Sequence, residues 1–284
     1  MAGRPKRLSK SSLGLRIVYR ATAVMVAVVF VIPMLVMVIT SLKDVADIYV
    51  VPFRWIPHPF VWMNYVHALT QQPFGIYFLN SLKYTSLSLV GDLISCSIVG
   101  YAFVRYRSPF TDRLFYIVLA LLLMPYVVLM VPQFILFSWM HWVGTYLPLI
   151  IPTFFAQSSF LIFLFRQFFR TLPTEVFEAA AVDGSGPLRT FLAIAVPMAI
   201  PAFSTATVFS FAFTWGNFLG PVVYLTQNNS YPVSVGLADF SAKFTIMPWN
   251  LLMAASVVSI LPSVLVFFLL QKRIGGGFAL GGIT

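Results

Sequence analysis

The residues best suited to contact another molecule lie in the segment 171–201, in the middle of a chain that is otherwise almost uniformly apolar. The segment holds three acids and a Gly-Ser-Gly turn. A helix is predicted over residues 175–183, because Thr174 can cap its start and Glu175 lies at the positive end of its dipole. Gly184, the first residue of the turn, predicts where that helix ends.

This predicted helix offers contact chemistry rather than catalysis. Its small residues, Ala179 to Ala181, allow another backbone to come close, and Glu178 carries a charge available to a partner. The sequence has no Gly-Lys dipeptide of a phosphate-binding P-loop and no Gly-x-Ser-x-Gly nucleophile motif. The three histidines lack metal-ligand spacing. We therefore expect no catalytic residue, no metal site, no cofactor and no ATP site in this chain.

The amino-acid composition indicates that the helices on either side of this segment lie in a lipid bilayer. The chain has 284 residues, of which 60% are hydrophobic and only 9% charged, whereas a soluble domain carries roughly 25% charged residues. A soluble globule this apolar would expose large patches and aggregate. The net charge of +10 is explained by basic residues on the cytoplasmic side of membrane spans, so no nucleic-acid partner is expected. The single cysteine excludes an internal disulfide.

Six apolar runs reach the length of about 20 residues that a spanning helix needs, which predicts an all-α polytopic membrane protein. The first run follows a basic N-terminus, residues 1–20, and exceeds a signal-peptide core, so we expect an uncleaved span. Residues 21–284 are expected to form one transmembrane domain. The spans are predicted at 21–42, 84–104, 114–137, 146–165, 191–214 and 249–271, with a cytoplasmic loop at 171–190.

The distribution of basic residues predicts the topology. With the N-terminus in the cytoplasm, 14 of the 18 basic residues fall on inside segments, as the positive-inside rule requires. Both termini and the loop 171–190 are then cytoplasmic. The mixed polar and aromatic segments 43–76 and 215–248 then lie outside.

Two features inside the spans leave alternatives open. Asp92 is the one acid within a span, and such residues are costly and often functional. A structural hydrogen bond to a neighbouring span, or a subunit contact, would equally account for it. Pro197 and Pro201 interrupt the fifth span; broken helices line the path in many transporters, but proline is also commoner in membrane spans than in soluble helices.

The segment 171–201 also carries a family resemblance. Its ordered residues Glu178-Ala179-Ala180, Asp183-Gly184, Ile194 and Pro197 resemble the EAA loop of the permease subunits of bacterial ABC importers. Further matches resemble the carbohydrate branch, the maltose-permease type: Asn80-Ser81, Trp215-Gly216-Asn217 with Pro221, and Gln271-Lys272-Arg273 before a Gly-rich tail. The resemblance covers most of residues 15–284. Family members commonly have Trp and Asn adjacent, whereas Gly216 intervenes here, and the tail lacks the usual basic close.

The resemblance implies a type I ABC importer transmembrane domain of six helices in the bacterial cytoplasmic (inner) membrane, without enzymatic activity of its own. It implies a second related permease subunit in a heterodimer, two ATPase subunits and an extracytoplasmic solute-binding protein. The ATPase-coupling residues would lie on a coupling helix; they are Glu178, Ala179, Ala180, Asp183 and Gly184. The Gly-rich tail 275–284 would contact the ATPase dimer, or would be a disordered end.

The implied function is to form half of the transmembrane path for a sugar, with an oligosaccharide expected. Trp215 and Asn217 are expected near that path or against the binding protein, since sugars stack on rings and hydrogen-bond to amides; Trp215 is equally suited to anchor a span at the interface. A non-sugar solute such as glycerol phosphate or a polyol is an alternative. An ion-driven secondary transporter would need several intramembrane charges, and a membrane enzyme would need paired catalytic groups.

Overall fold

The chain is built from helices, because a backbone without water can satisfy its hydrogen bonds within a single segment only as a helix. The computed structural model describes residues 10–242 and 247–278, with side chains described for 14–239 and 247–274. Those ranges contain no β-strand, which confirms the all-α prediction. The predicted ATPase-contacting tail lies outside the described side chains and, beyond Phe278, outside the described residues.

The first nine helices are α1 (Lys10–Ser41), α2 (Val45–Ile48), α3 (Met63–Thr70), α4 (Phe74–Arg105), α5 (Pro109–Leu123), α6 (Tyr126–Trp139), α7 (Leu147–Ile150), α8 (Ser159–Phe169) and α9 (Thr174–Val182). The remaining helices are α10 (Pro187–Thr190), α11 (Val196–Met198), α12 (Ile200–Trp215), α13 (Leu219–Tyr224), α14 (Val233–Ala242) and α15 (Trp249–Phe278). Turns of 3-10 helix occupy Ile151–Phe155 and Asn228–Ser230, and a π-helical turn occupies Phe191–Ala195.

Four stretches are long and apolar enough to cross a membrane: Gly14–Ser41, Phe74–Arg105, Leu147–Phe169 and Trp249–Ile274. Two helix pairs qualify only together, Pro109–Leu123 with Tyr126–Trp139, bent by 103°, and Pro187–Met198 with Ile200–Trp215, bent by 78°. Counting each bent pair as one span gives six, the number expected from the sequence. The third and fifth runs, expected at 114–137 and 191–214, are therefore broken helices.

The described chain groups into two compact units, residues 1–71 with 244–258, and residues 72–243 with 259–284. In the first unit, every described residue from 14 to 35 of α1 is exposed. Burial begins at the end of this helix, where Asn64 of α3 donates to the carbonyls of Ser41 and Lys43 at 2.9 and 2.8 Å. Asn250 of α15 donates in turn to Asn64 Oδ1 at 3.2 Å.

The second unit is organised around α4, which packs against α8, α12, α14 and the 3-10 turn after α7. Two glycines of α4 allow close approaches. A Cβ added at Gly91 would lie 2.3 Å from Thr153 Oγ1, and one at Gly100 would lie 2.7 Å from Phe165 Cβ. Only glycine therefore fits at these two positions of α4 without movement of the facing chain.

Helix α4 begins ten residues before the predicted span at 84–104, and its first turns bond to residues 229–233. Asn80 donates to the carbonyls of Asn229 and Tyr231 at 2.7 and 3.2 Å. Ser81 Oγ accepts from the backbone N–H of Val233 at 2.8 Å. The polar pair that the family resemblance singled out thus fixes the start of α14.

The two sharp bends follow from proline. Met124 adopts an extended conformation (φ −77°, ψ 128°) immediately before Pro125, as the residue preceding a proline prefers, and this separates α5 from α6. At the other break, Ala199 lies at φ −93°, ψ 12° between Pro197 and Pro201. Pro201 has no N–H to continue the preceding helix but fits the first turn of a new one, so α12 restarts there.

Candidate functional site

Helix α9 spans Thr174–Val182, one residue from the predicted bounds at each end. Thr174 is its first helical residue rather than its cap: the N-cap is Pro173, and no side chain caps the helix, so this part of the prediction was wrong. The helix ends in a Schellman turn, in which Ser185 N–H bonds to Ala180 O at 2.9 Å and Gly184 N–H to Ala181 O at 3.1 Å.

Gly184 has φ +74°, and an added Cβ would meet nothing within 4 Å. Backbone conformation, not lack of space, is therefore the reason for glycine at this position.

The exposed side of α9 carries most of the predicted coupling residues. Glu178 and Ala179 are exposed, as are Asp183 and Gly184 at the end of the helix. Ala180 is buried together with Phe177, whose ring lies 6.1 Å from that of Tyr101 on α4. The small face expected from three consecutive alanines is thus split: Ala180 packs inward, and its neighbours remain available to a partner.

A cavity of about 680 Å³ lies within the second unit. Its walls come from α4, the α5–α6 break, the segment from α7 to α8, and α12. The lining residues are Tyr84, Ser88, Asp92, Leu121, Leu122, Met124, Tyr126, Leu129, Gln133, Pro148, Leu149, Thr153, Gln157, Ser158, Ser159, Phe160, Leu161, Phe209, Ser210, Phe213, Thr214 and Asn217. A broken helix therefore lines this cavity, as in many transporters.

The cavity wall is rich in hydroxyl, amide and aromatic groups. Among the residues that line it, Asp92 is the one acid, and there is no lysine, arginine or histidine. Hydroxyls and amides bond to neutral polar ligands, and aromatic faces pack against apolar ring surfaces. The wall is thus built for an uncharged polar molecule.

Three hydrogen bonds fix the polar part of this wall. Ser210 Oγ on α12 donates to Asp92 Oδ2 on α4 at 2.7 Å, which confirms the structural hydrogen bond between neighbouring spans considered for this acid. Asn217 Nδ2 donates to the hydroxyl of Tyr84 at 3.0 Å, and its Oδ1 accepts from Gly220 N–H at 3.2 Å. Asn217 is therefore held in one orientation at the cavity.

Trp215 occupies a different environment from Asn217. Its side chain is buried, its indole Nε1 donates to the carbonyl of Ser259 at 2.9 Å, and its ring lies 5.5 and 5.4 Å from those of Phe78 and Phe211. It is absent from the cavity lining. The geometry thus gives Trp215 a packing contact, while the nearby asparagine faces the cavity.

Of the cavity residues on α4, sequence reasoning singled out Asp92 but not Tyr84 or Ser88. Their signal was nonetheless present: Tyr84, Ser88 and Asp92 recur at intervals of four and share one helix face. None of the residues of α9 lines the cavity, so the predicted coupling segment and the cavity are separate sites in the described chain.

Comparison with known proteins gives the family context. The family described as "Binding-protein-dependent transport system inner membrane component" matches residues 94–278. The diacetylchitobiose uptake system permease protein NgcG of Streptomyces coelicolor is 30% identical over 262 residues, covering 92% of this chain and 86% of that protein. The sn-glycerol-3-phosphate transport system permease protein UgpE of Yersinia pestis is 28% identical over 247 residues, covering 84% and 87%.

A solved structure shares the fold. One chain of a bacterial ABC transporter involved in the import of the acidic polysaccharide alginate matches with a TM-score of 0.80 and 21% identity, over 94% of this chain and 99% of that one. The chain described here belongs to the family of inner membrane components of binding-protein-dependent transport systems.

Proposed function

We propose that this chain is the permease subunit of an ABC importer and forms half of the transmembrane path for a neutral sugar, with an oligosaccharide as the expected cargo. The observation that carries the substrate class is the cavity of about 680 Å³, with its hydroxyl, amide and aromatic wall. The diacetylchitobiose permease, similar over most of the chain, supports a saccharide.

The charge of the solute distinguishes a neutral sugar from the alternative, glycerol phosphate. An anionic solute near Asp92 would meet a like charge and no lining cation. At separations of 4–8 Å and an effective dielectric constant near 20, this repulsion is about 2–4 kcal/mol. A neutral sugar avoids that cost and can bond to the lining hydroxyls and amides. A polyol has the same chemistry without the ring and is distinguished by experiment.

The exposed part of α9 is the proposed contact with a separate ATPase subunit, with Glu178 pairing a basic residue there. Its support is the ordered family motif, the exposure of Glu178 and Ala179, and the turn at Gly184 that returns the chain to the membrane. The assembly would contain two ATPase subunits, a second related permease subunit and an extracytoplasmic binding protein. Both termini and the loop 171–190 would face the cytoplasm, as the basic-residue asymmetry requires.

The substrate proposal is tested by uptake of labelled neutral oligosaccharide, polyol and glycerol 3-phosphate into proteoliposomes containing the whole transporter. Oligosaccharide uptake is expected. Asn217→Ala removes two hydrogen bonds that hold the cavity wall, each contributing roughly 1 kcal/mol, and should lower uptake by up to about 30-fold. Asn228→Ala, an exposed asparagine outside the cavity, is the matched control. Uptake of glycerol phosphate without sugar uptake would reject the neutral-sugar assignment.

The coupling proposal is tested by retention of the ATPase subunit on the purified transporter. Glu178→Lys should release the ATPase or abolish sugar-stimulated hydrolysis, because it sets a cation against the expected basic partner and costs roughly 2–5 kcal/mol. Glu175→Lys makes the same charge reversal on the same exposed helix and should have a smaller effect. Equal retention in both variants, with normal uptake, would place the coupling contact elsewhere.

A further inference from the structure

Four arginines gather in the second unit where α4 and α8 end and α5 begins. Arg105 is the last residue of α4, Arg107 lies in the link to α5, Arg166 lies in the last turn of α8 and Arg170 follows that helix. They line two adjoining pockets of about 340 and 220 Å³, and Arg107 and Arg170 line both. We call these residues the arginine pocket.

The positive charge of the arginine pocket is not balanced by the described chain. Asp112 is its one acidic lining residue. Among the described residues the one salt bridge joins Arg54 to Asp47, so none of the four arginines is ion-paired. At least two of the four charges therefore have no carboxylate to pair with in this chain.

Arg166 shows the imbalance most directly. Its guanidinium carbon lies 3.6 Å from the centroid of the Phe115 ring, and it interacts electrostatically with Arg170, Arg107 and Asp112. Its Nε is buried and has no hydrogen-bond partner in the described structure. Arg166 also lines the smaller pocket, where an anion would offset its repulsion with Arg170 and Arg107.

Helix ends alone do not account for this cluster. Cations near a helix C-terminus gain about 0.3–1 kcal/mol from the dipole, which suits Arg105 and Arg170. Arg107 lies outside both helices, and the unpartnered Nε of Arg166 is unaffected by that gain.

The position of the pocket indicates where an anion would come from. Both α4 and α8 belong to stretches long enough to span a membrane, and the arginines stand at their ends, the depth at which lipid phosphates lie. Next to them, α5 exposes a stripe of apolar side chains at intervals of four and three residues, namely Phe110, Leu114 and Ile117. The positively charged pocket and the apolar stripe are thus adjacent, as the headgroup and the acyl chains of a phospholipid are.

We propose that the arginine pocket binds the phosphate of an anionic phospholipid whose acyl chains lie along the exposed stripe of α5. Basic pockets between membrane helices bind anionic headgroups in this way. A free phosphate would use the charge but not the stripe. Thr174 and Phe177 of α9 also line the larger pocket, so an acidic side chain of the ATPase subunit is the competing occupant. Such a side chain would use only the charge, whereas a lipid would also use the adjoining stripe. The site is separate from the sugar cavity, and its test does not depend on the transported solute.

The experiment titrates the purified whole transporter in detergent with phosphatidylglycerol or with phosphatidylcholine of the same acyl chains, and counts bound lipids by native mass spectrometry. Phosphatidylglycerol should bind preferentially. The double variant Arg107→Gln/Arg170→Gln replaces two exposed arginines that both pockets share. It should bind phosphatidylglycerol about 25-fold more weakly, because each basic residue facing anionic lipid contributes about fivefold.

The matched control is Arg113→Gln/Arg189→Gln, which removes two exposed arginines that line neither pocket. It should retain preferential binding. Loss of the preference in the control, or its retention in the test variant, would overturn the proposal. If inorganic phosphate binds to the pocket as tightly as phosphatidylglycerol does, the site belongs to a free anion. Loss of the ATPase subunit from the test variant with lipid binding unchanged would assign the arginines to a protein contact. Either result would also overturn the proposal.

Discussion

Helices α1 and α4 each contain 32 residues and belong to stretches apolar enough to cross a membrane, yet they present opposite surfaces. Every described residue of α1 from 14 to 35 is exposed and nearly all are apolar. In α4 the buried positions include Ser81, Tyr84, Thr85, Ser88 and Asp92, while Leu79, Leu87, Val90, Ile94 and Ile98 are exposed. The polar face of α4 is its inner face.

This inversion shows what polarity means in a membrane helix. Lipid is as apolar as leucine, so apolar side chains gain little by moving from lipid into the protein, whereas polar ones gain partners there. The hydroxyls and carboxylate of α4 therefore mark its protein-facing side, and the uniform surface of α1 offers nothing to bind in this chain. Three sets of substitutions compare the two helices.

The largest difference is expected at glycine. Gly91→Leu on α4 would drive a side chain into Thr153 and Phe154, whose nearest atoms lie 2.3 and 2.8 Å from an added Cβ. Overpacking of this kind should cost about 3 kcal/mol or more. Gly14→Leu on α1 meets nothing within 4 Å and should change stability by less than about 0.5 kcal/mol. Thermal unfolding in detergent measures both; equal losses would contradict the contrast.

A smaller loss is expected at the buried polar pair. Asp92→Leu leaves the hydroxyl of Ser210 without its acceptor and should cost about 1–2 kcal/mol. Asp92→Asn keeps an acceptor oxygen and should cost less. Because replacing both partners removes the unpaired group, Asp92→Leu/Ser210→Ala should recover part of the loss. A double variant as unstable as the sum of the single ones would show that this pair does not hold α4 to α12.

The smallest effect is expected on α1. Phe30 is 75% exposed, so Phe30→Ala opens no cavity and should change the stability of the purified chain by less than about 0.5 kcal/mol. The same variant in the whole transporter tests what covers this helix. An unchanged melting temperature indicates lipid, and a clear decrease indicates a partner subunit packed on α1.

The sequence predicted those features that depend on local chemistry or on composition. The all-α membrane class followed from hydropathy alone, and the end of α9 followed from the glycine turn, while its start was predicted from a cap at Thr174 that the structure does not show. The positive φ of Gly184 accounts for that success, since few other residues can replace it there. The basic asymmetry assigned an orientation that is still a proposal.

The features that were missed depend on distant contacts. The start of α4 was placed too late because Asn80 and Ser81 lower its hydropathy, although both are satisfied by the segment 229–233. The bend at Pro125 could be suspected from a proline, but a proline alone does not predict its 103° angle. Predicting the cavity requires knowing how three helices are rotated about their axes relative to one another. Apolar runs without strong amphipathicity do not encode that rotation.

The bend at Ala199 has a mechanical consequence. The stretch Pro187–Met198 is an arm about 18 Å long at 1.5 Å per residue, joined through a short turn to α9 and set at 78° to α12. By simple leverage, tilting such an arm by about 10° displaces its far end by about 3 Å. Because this arm and α12 are nearly perpendicular, a force applied at α9 would act on α12 as a torque rather than as a translation. Helix α12 carries Ser210 and Thr214, so this torque would rotate one wall of the cavity.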